Sequence, residues 1–583
     1  MKLLLTAVNA KYIHSNPAIY SLQKFAAAYA PEYGADVELA EFTINHYADD
    51  ILQEIYRRRP DVVAVSCYIW NLQIIEQVLE DLPRVLPDVQ IWAGGPEVSY
   101  DAPRFLKKHS CITGVMTGEG EETFLELLEY YHGEKQLEEI RGITWKNSRQ
   151  EIMVNPVRPL LDMNRIPFLY DELDDFEHRI IYYESSRGCP FSCSYCLSSI
   201  DKSVRFRDAQ TVVRELQFFL DRKVPQVKFV DRTFNCRHSH ALTIWNYIKE
   251  HDNGITNFHF EIAADLLNEE ELTLLNTMRP GLVQLEIGVQ STNTKTIEAI
   301  DRVMDFSHLS RVVKRVQSGK NIHQHLDLIA GLPWEDFDSF RKSFNDVYHL
   351  YPDQLQLGFL KVLKGSKMQE KAEEYGLIYH SEPVYEVFYT KWISYQEILE
   401  LKQIEDMVEI YYNSGQFSNT IRYLEREFTD PFAMYQQMAA FYGRKNWWGQ
   451  SHSRMQRLEM LREFIHSVSE NTVYDELLLF DLYLRENSKS RPKWAPDLQN
   501  EKKQFLDWFR KEEQEHQVLK EYEGYSARQM MNMVHLERFD RRMAEICGWP
   551  QRRDDAKECW VLFDYRNRNA LDQNAQIYHG ISE

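Results

Sequence analysis

What the 583-residue sequence has little of bounds it first. It holds only eight cysteines, too few for a disulfide scaffold in a chain this long, and three of them crowd together at Cys189, Cys193 and Cys196. That excludes a secreted, disulfide-rich class and favours a reducing cytoplasm and a metal site. Basic residues are short as well: 68 Lys plus Arg stand against 89 Asp plus Glu, a formal charge of −21, so the surface as a whole repels polyanions. Nucleic acid is therefore a disfavoured partner. No stretch approaches the roughly 20 apolar residues of a membrane-spanning helix, so a soluble protein without a membrane partner is expected. The apolar start is cut off after Val8 by Asn9, Lys11 and His14, which reads as a buried first strand and not as a signal peptide. Solenoid repeats and low-complexity tracts are missing too.

What is present is ample core material: 44% hydrophobic and 13% aromatic residues against 27% charged. At roughly 150 residues per domain, three or four domains are expected. Residues 1–145 alternate short apolar runs at 3–8, 37–42, 62–67, 89–93 and 112–116 with helical periodicity, the pattern of a doubly wound α/β sheet. Pro17 suits the first turn of the helix after the first strand. A linker over 146–178 carries Pro167 and the acidic cluster Asp171, Glu172, Asp174, Asp175 and Glu177. Over 179–370 a second alternation, with strands at 180–183, 227–230, 259–263, 282–289, 324–330 and 356–363, predicts a partial parallel (β/α)6 barrel with its chemistry at the C-terminal strand ends. From 381 to 583 charged and aromatic helical stretches such as 395–412 and 501–522 predict a mainly helical domain, with one strand at 559–565. Seven of the twelve tryptophans lie there (Trp392, Trp447, Trp448, Trp494, Trp508, Trp549 and Trp560), which argues for a folded domain.

The run Glu184-Ser185-Ser186-Arg187-Gly188-Cys189-Pro190-Phe191-Ser192-Cys193-Ser194-Tyr195-Cys196 places Cys-x3-Cys-x2-Cys in a loop directly after a strand. Three thiolates at this spacing can hold three irons of a 4Fe-4S cube and leave the fourth iron open. A zinc knuckle prefers four ligands in paired Cys-x2-Cys form, and unconnected buried cysteines fit a clustered surface loop poorly.

With an aromatic residue, Tyr195, just before its last cysteine, this motif resembles that of the radical S-adenosylmethionine (SAM) superfamily. The resemblance implies that SAM chelates the open iron and is cleaved by an electron from the cluster to methionine and a 5'-deoxyadenosyl radical. Phe229-Val230-Asp231-Arg232-Thr233-Phe234 resembles the family's Phe-x-Asp-x-x-Phe, which implies that Asp231 binds the SAM amino group; the alternative is a turn cap. Glu286-Ile287-Gly288-Val289-Gln290-Ser291 is similar to the segment that lines the SAM pocket, implying contacts from Glu286 and Gln290, with an internal ion pair as the other reading of Glu286. Glu261 is a ribose candidate, and Gly331-Leu332-Pro333 resembles a later turn.

The N-terminal sheet resembles cobalamin-binding Rossmann-like domains. It offers Tyr12-Ile13-His14-Ser15-Asn16-Pro17 after strand one, Ser66-Cys67-Tyr68 after strand three and Gly94-Gly95 after strand four. His14, Ser66, Gly94 and Gly95 are the candidate corrinoid contacts. The carboxylate that orients a ligating histidine in that family is missing around His14, so a loop histidine bonded to backbone is preferred to cobalt ligation. Gly94 and Gly95 suit the close approach of a bulky ligand to backbone.

The order of cobalamin-type domain, linker and cysteine motif resembles the cobalamin-dependent radical SAM class over residues 1–370, and the remainder resembles uncharacterised domains attached to such proteins. The class implies a 4Fe-4S cluster, SAM and cobalamin as cofactors, a flavodoxin or ferredoxin as electron donor, and methylation of an unactivated carbon of an unknown substrate. A methylthiotransferase acting on tRNA would carry three further cluster cysteines in its N-terminal domain, where this chain has only Cys67 and Cys111. A corrinoid- or cluster-binding sensor, with the C-terminal helices as output, is the reading from another functional class. Cys236, Cys547 and Cys559 are dispersed and read as free thiols, and His535 suits a lid or a core equally.

Overall fold

The computed structural model describes residues 1–583 except 500, 541–542, 544–545, 548–557 and 580–583. Trp549 falls outside the described residues. The fold begins with a seven-stranded sheet of β1 Leu3–Asn9, β2 Val37–Thr43, β3 Val62–Ser66, β4 Gln90–Gly94, β5 Gly114–Met116, β6 Ile143–Lys146 and β7 Ile152–Val154, in the order β2-β1-β3-β4-β5-β6-β7. The first five are parallel, and β6 and β7 extend the sheet antiparallel. Every residue of β1 is buried. Leu4 and Val8 enter one core and Leu3, Leu5 and Ala7 the other, because helices cover both faces. In the 2-1-3-4-5 order the winding reverses between β1 and β3, and ligands of such sheets sit in the crevice outside the carboxyl ends at that point. Pro17 stands in the first turn of the helix Pro17–Tyr29.

The stretch after β7 is pinned down. Tyr170 is buried and its hydroxyl donates to Tyr182 O at 2.5 Å, while Arg179 pairs with Glu41 at 2.6 Å. The chain then enters β8 Ile181–Tyr183, a short antiparallel ribbon of β9 Ser186–Arg187 and β10 Arg205–Phe206, and β11 Gln226–Phe229, β12 Asn257–Ile262, β13 Val283–Gln290, β14 His323–Ala330 and β15 Gln354–Phe359. The six-stranded sheet runs β15-β14-β13-β12-β11-β8, the open barrel that the sequence pattern predicts. The last strand ends at Phe359, so residues 360–363 of the expected strand leave the sheet.

The chain divides into two compact units. The first comprises 1–322, 329–337 and 358–395, and the second 323–328, 338–357 and 396–583. The ribbon of β16 Ile378–Tyr379 and β17 Val387–Tyr389 belongs to the first. The second is mainly helical, with helices such as Tyr395–Val408, Pro431–Lys445, Arg454–Val468 and Val473–Arg485. It also holds an antiparallel sheet of β18 Val534–Asp540, β19 Glu558–Arg568 and β20 Ala575–His579. The expected single strand is thus the middle one of three. The helix expected over 501–522 stops at Glu515, where His516 turns left-handed at φ 45°. Among the described residues, no helix is long and apolar enough to cross a membrane.

Candidate functional site

Two loops of the first unit gather the residues singled out in the sequence. The first follows β8 and carries the cysteines. Its entry is fixed by Asp231, which lies just past β11 and is 1% exposed. The Asp231 carboxylate accepts from Ser185 N at 3.0 Å, Ser185 Oγ at 2.6 Å and Ser186 Oγ at 2.5 Å. Burial pushes its carboxyl up to about 6 against the pull of these donors. Ser185 Oγ gives its hydrogen to Asp231 and lies 2.9 Å from His240 Nε2, so the His240 nitrogen donates. Burial pushes His240 down to about 4 and keeps that ring neutral.

Gly188 then turns at φ +100°, where a Cβ would stand 2.7 Å from Ser203 O, so only glycine suits the position. Cys189 and Cys193 are buried and Cys196 is half-buried, all as free thiols. Cys189 Sγ lies 3.6 Å from Thr233 Oγ1. Both peptide groups of Ser194, between the second and third cysteines, are tied: its N–H donates to Ile300 O at 2.9 Å and its carbonyl accepts from Met368 N at 2.8 Å.

Arg302 was not legible in the sequence. Its guanidinium is buried against this loop, with NH1 at 3.8 Å from Cys193 Sγ and 3.5 Å from the Tyr195 hydroxyl, and NH2 donating to Gly288 O. Burial pushes the Cys193 thiol up, and the Arg302 cation opposes it. Burial likewise raises the Tyr195 phenol. Gln290 closes β13 with a left-handed backbone at φ 72°, an arrangement that is costly outside glycine and concentrates at functional sites. It folds back over Gly288, where a Cβ would stand 2.4 Å from Gln290 Nε2. Gln290 Oε1 and Arg302 Nε are buried polar atoms without a hydrogen-bond partner in the protein, an acceptor and a donor beside the cysteine loop.

Glu286 points elsewhere, into the barrel interior, where its Oε2 lies 3.0 Å from both Lys228 Nζ and His259 Nε2. Burial pushes its carboxyl up, but His259 and Lys228 outweigh that and hold it at about 2. This is the geometry of the internal ion pair. Glu261 stands beside Glu286 in register on β12. At the next strand end Gly331 turns at φ +84° and Asn293 Nδ2 donates to Trp334 O at 2.8 Å, so this segment shapes a turn.

The second site lies at the carboxyl ends of the N-terminal sheet. His14 is half-buried, with Nδ1 at 2.6 Å from the Tyr182 hydroxyl, and burial lowers its pKa. Asn16 Nδ2 donates to Ser66 Oγ at 3.1 Å, and Asn16 N donates to Glu41 Oε1 at 2.8 Å. Ser15 Oγ and Asn16 Oδ1 are buried without partners. Gly95, at φ +106°, would bring a Cβ to 2.4 Å from Cys67 O, so its glycine is required by the protein's own backbone crossing. Around these loops stand exposed large apolar side chains: Tyr12 and Ile13 after β1, Ile44 and Tyr47 after β2, Trp70 after β3 and Tyr100 beyond β4. Tyr68 and Trp70 stack with centroids 4.5 Å apart. A rim this rich in apolar surface over a sheet crevice suits a large flat ligand.

Cys236 lies within electrostatic reach of Cys189, and burial pushes its thiol up to about 11. In the second unit burial raises Cys547 to about 12 and Cys559 to about 11. His535 stacks on Tyr483 with centroids 3.5 Å apart and lies 3.0 Å from Glu537 Oε2, a core position.

Three family models match the chain in order: a B12 binding domain over residues 7–128, the radical SAM superfamily over 183–347, and a protein of unknown function, DUF4080, over 373–563. The cobalamin-dependent radical SAM methyltransferase TokK of Streptomyces tokunonensis is 26% identical over 376 residues, 61% of this chain and 54% of that protein. The chain spans about half the length of the curated relatives it matches. Two solved structures share the fold. The cobalamin-dependent S-adenosylmethionine radical enzyme OxsB has a TM-score of 0.57 at 16% identity, covering 82% of this chain and 78% of its own. The radical S-adenosylmethionine methyltransferase TsrM of Kitasatospora setae has a TM-score of 0.55 at 17% identity, covering 65% and 78%. In this order the chain carries a B12 binding domain, a radical SAM domain and a C-terminal domain of unknown function.

Proposed function

We propose that the protein is a cobalamin-dependent radical SAM methyltransferase that methylates an unactivated carbon of a substrate not yet identified. The observation that carries this reading is one compact unit holding both a loop of three free thiols at a barrel strand end and a Rossmann-like crevice rimmed by exposed apolar side chains. Its domains follow the expected bounds 1–145, 179–370 and 381–583 with 146–178 as linker, except that β7 carries the N-terminal sheet on to Val154 and residues 381–395 belong to the first unit. When bound, the cluster supplies the electron that cleaves SAM, and cobalamin carries the methyl group.

Cys189, Cys193 and Cys196 hold the cluster through their thiolates, on a loop whose Ser194 peptide groups are tied to Ile300 and Met368. The orphaned atoms of Gln290 and Arg302 fit the amino-acid end of SAM, which presents both a donor ammonium and an acceptor carboxylate. Tyr195 and Arg302 shield the inner side of that loop. Asp231 acts through Ser185 and Ser186 by fixing the loop, and Glu286 by fixing Lys228 and His259, instead of by direct contact with SAM. Ser66, Gly94, Gly95 and the apolar rim receive the corrin, with His14 held by Tyr182 beside it. The cytoplasm, with a flavodoxin or ferredoxin as electron donor, is the setting that suits free thiols and a reducible cluster.

The test is anaerobic reconstitution followed by reduction with SAM present. Formation of 5'-deoxyadenosine supports the enzyme over a corrinoid- or cluster-binding sensor, and a protein that binds both cofactors without cleaving SAM contradicts it.

A further inference from the structure

The segment 360–393 lies beyond the last barrel strand, β15, and it touches both candidate cofactor loops within five residues of chain. Met368 is fully buried, and its N–H donates to Ser194 O at 2.8 Å, between Cys193 and Cys196. Four residues earlier, Lys364 Nζ reaches the other site. It lies 3.8 Å from Glu97 Oε2, 3.8 Å from Asp101 Oδ2 and 3.4 Å from Glu97 O. Glu97 sits in the turn that leaves Gly94-Gly95, and its carboxylate is 2% exposed.

The same segment returns at Tyr385, also buried, whose hydroxyl donates to Glu97 Oε2 at 2.7 Å. The backbone closes the loop between these anchors, because Val362 N donates to Tyr385 O at 3.0 Å and Lys361 bridges Glu386. Gly365, at φ +78°, lies so close to Tyr100 that a Cβ would stand 2.5 Å from the ring, and that ring lies within electrostatic reach of Cys196.

A buried carboxylate needs a strong partner: burial, helped by the neighbouring Asp101 carboxylate, raises the Glu97 carboxyl, and Tyr385 and Lys364 pull against them. Glu97 is satisfied by a chain segment some 270 residues away that also bonds the cysteine loop.

We propose that segment 360–393 is a clamp that sets the spacing between the glycine loop of the N-terminal sheet and the cysteine loop of the barrel, with Lys364 and Tyr385 as positioning residues acting through Glu97. The proposal rests on the proposed function, in which those loops hold the corrin and the cluster. Through Tyr385 it gives the start of the region of unknown function a task, cofactor alignment. The transfer of a group between two separately held cofactors depends steeply on their distance, so loosening the clamp should leave both bound and uncouple them.

The experiment uses full-length protein loaded with cluster and cobalamin, unaltered and as Tyr385→Phe and Lys364→Met. Three quantities are read: iron and cobalt content, the magnetic interaction between the reduced cluster and cob(II)alamin by pulsed electron paramagnetic resonance, and 5'-deoxyadenosine formed per SAM consumed. Each variant removes one polar group from Glu97 and keeps the apolar volume, so both are expected to fold and load fully. The expected result is a broadened cluster–cobalt distance distribution in both variants. The 5'-deoxyadenosine formed per SAM consumed should rise, because methyl transfer to cobalt from SAM falls on the order of 10- to 100-fold while cluster-driven SAM cleavage persists. Full loading with an unchanged distance distribution in both variants would overturn the clamp and leave the proposed function standing. Unaltered protein that takes up the cluster and no cobalamin would overturn the proposed function and the clamp with it. If one variant loses cofactor outright, the other decides on the same readouts.

Discussion

Asp231 in the first unit and Asp481 in the second are held in nearly the same way. Each is 1% exposed, and burial pushes each carboxyl up to about 6. Asp231 is saturated by Ser185 and Ser186. Asp481, inside the helix Val473–Arg485, is saturated by Asn419 N and Nδ2 at 3.2 and 2.7 Å and by Thr420 N and Oγ1 at 2.8 and 2.7 Å. What differs is what the held residues lead to. Asp481 caps the N-terminus of the helix Ser418–Leu424 from a neighbouring helix and ends there. Asp231 fixes the peptide from which three cysteines hang. A perturbed buried carboxylate therefore does not by itself mark a functional site, and the chemistry of the segment it orders decides.

The largest effect that bears on this contrast is expected where that chemistry sits. Replacing Cys189, Cys193 and Cys196 together by Ala should abolish iron binding, because no other set of three suitably spaced cysteines exists in the sequence. Iron analysis and the reduced-cluster electron paramagnetic resonance signal check it. The variant should keep its fold, since the loop is tied mainly by Ser185, Ser186 and Ser194, and its thiols add only the long contacts to Thr233 and Arg302.

Next in size are the two aspartates themselves. In Asp231→Asn an amide N–H replaces one acceptor and faces hydroxyl and peptide donors, a loss on the order of 1.5 to 3 kcal/mol. Iron retention under chelator challenge should fall about ten- to a hundredfold, the same energy read as an equilibrium. Asp481→Asn should cost a similar amount in the opening of the second unit, read by hydrogen exchange at Asn419 and Thr420, with iron content unchanged. Equal iron loss in both variants would erase the distinction between them.

A subtler test uses pH. The folded carboxyl of Asp481 is raised from 3.8 to about 6, so the native state holds its proton more tightly than the unfolded chain. Its contribution to stability is present below about pH 4 and is lost as pH rises through 6. Protection of the 419–420 amides, corrected for intrinsic exchange, should decline over that window in the unaltered protein and stay flatter in Asp481→Asn.

The smallest effect is expected at His14, which neither aspartate touches. Its ring is held by Tyr182 and kept neutral by burial. His14→Ala should leave cobalamin bound with little change in affinity. A nitrogen superhyperfine pattern of cob(II)alamin that vanishes in the variant would instead make His14 the cobalt ligand.

The same contrast explains what the sequence disclosed. The cysteine loop was legible because its chemistry is written in residue type and spacing, and the parallel strands because runs buried on both faces read as continuous apolar stretches. Asp231 was legible as a residue and not as a role, since its saturation by Ser185 and Ser186 is a long-range fact. Arg302 lies twelve residues past Gln290 in an irregular turn with no periodic signal, and only the fold brings it to Cys193. Glu97, Lys364 and Tyr385 are ordinary charged or aromatic residues until they meet. In the second unit β18 carries a partly alternating pattern, with Val534, Leu536 and Phe539 buried, which the methionine-rich helix Ala527–Met533 before it hides.

The decisive experiment is SAM cleavage by protein loaded with both cofactors, followed by mass spectrometry with reductant present. A cobalamin-dependent radical SAM enzyme gives 5'-deoxyadenosine in the unaltered protein and none in Cys196→Ala, together with cobalamin that stays bound through purification. Zinc in place of iron on the three thiols, or a reduced 4Fe-4S cluster that leaves SAM intact, would contradict it.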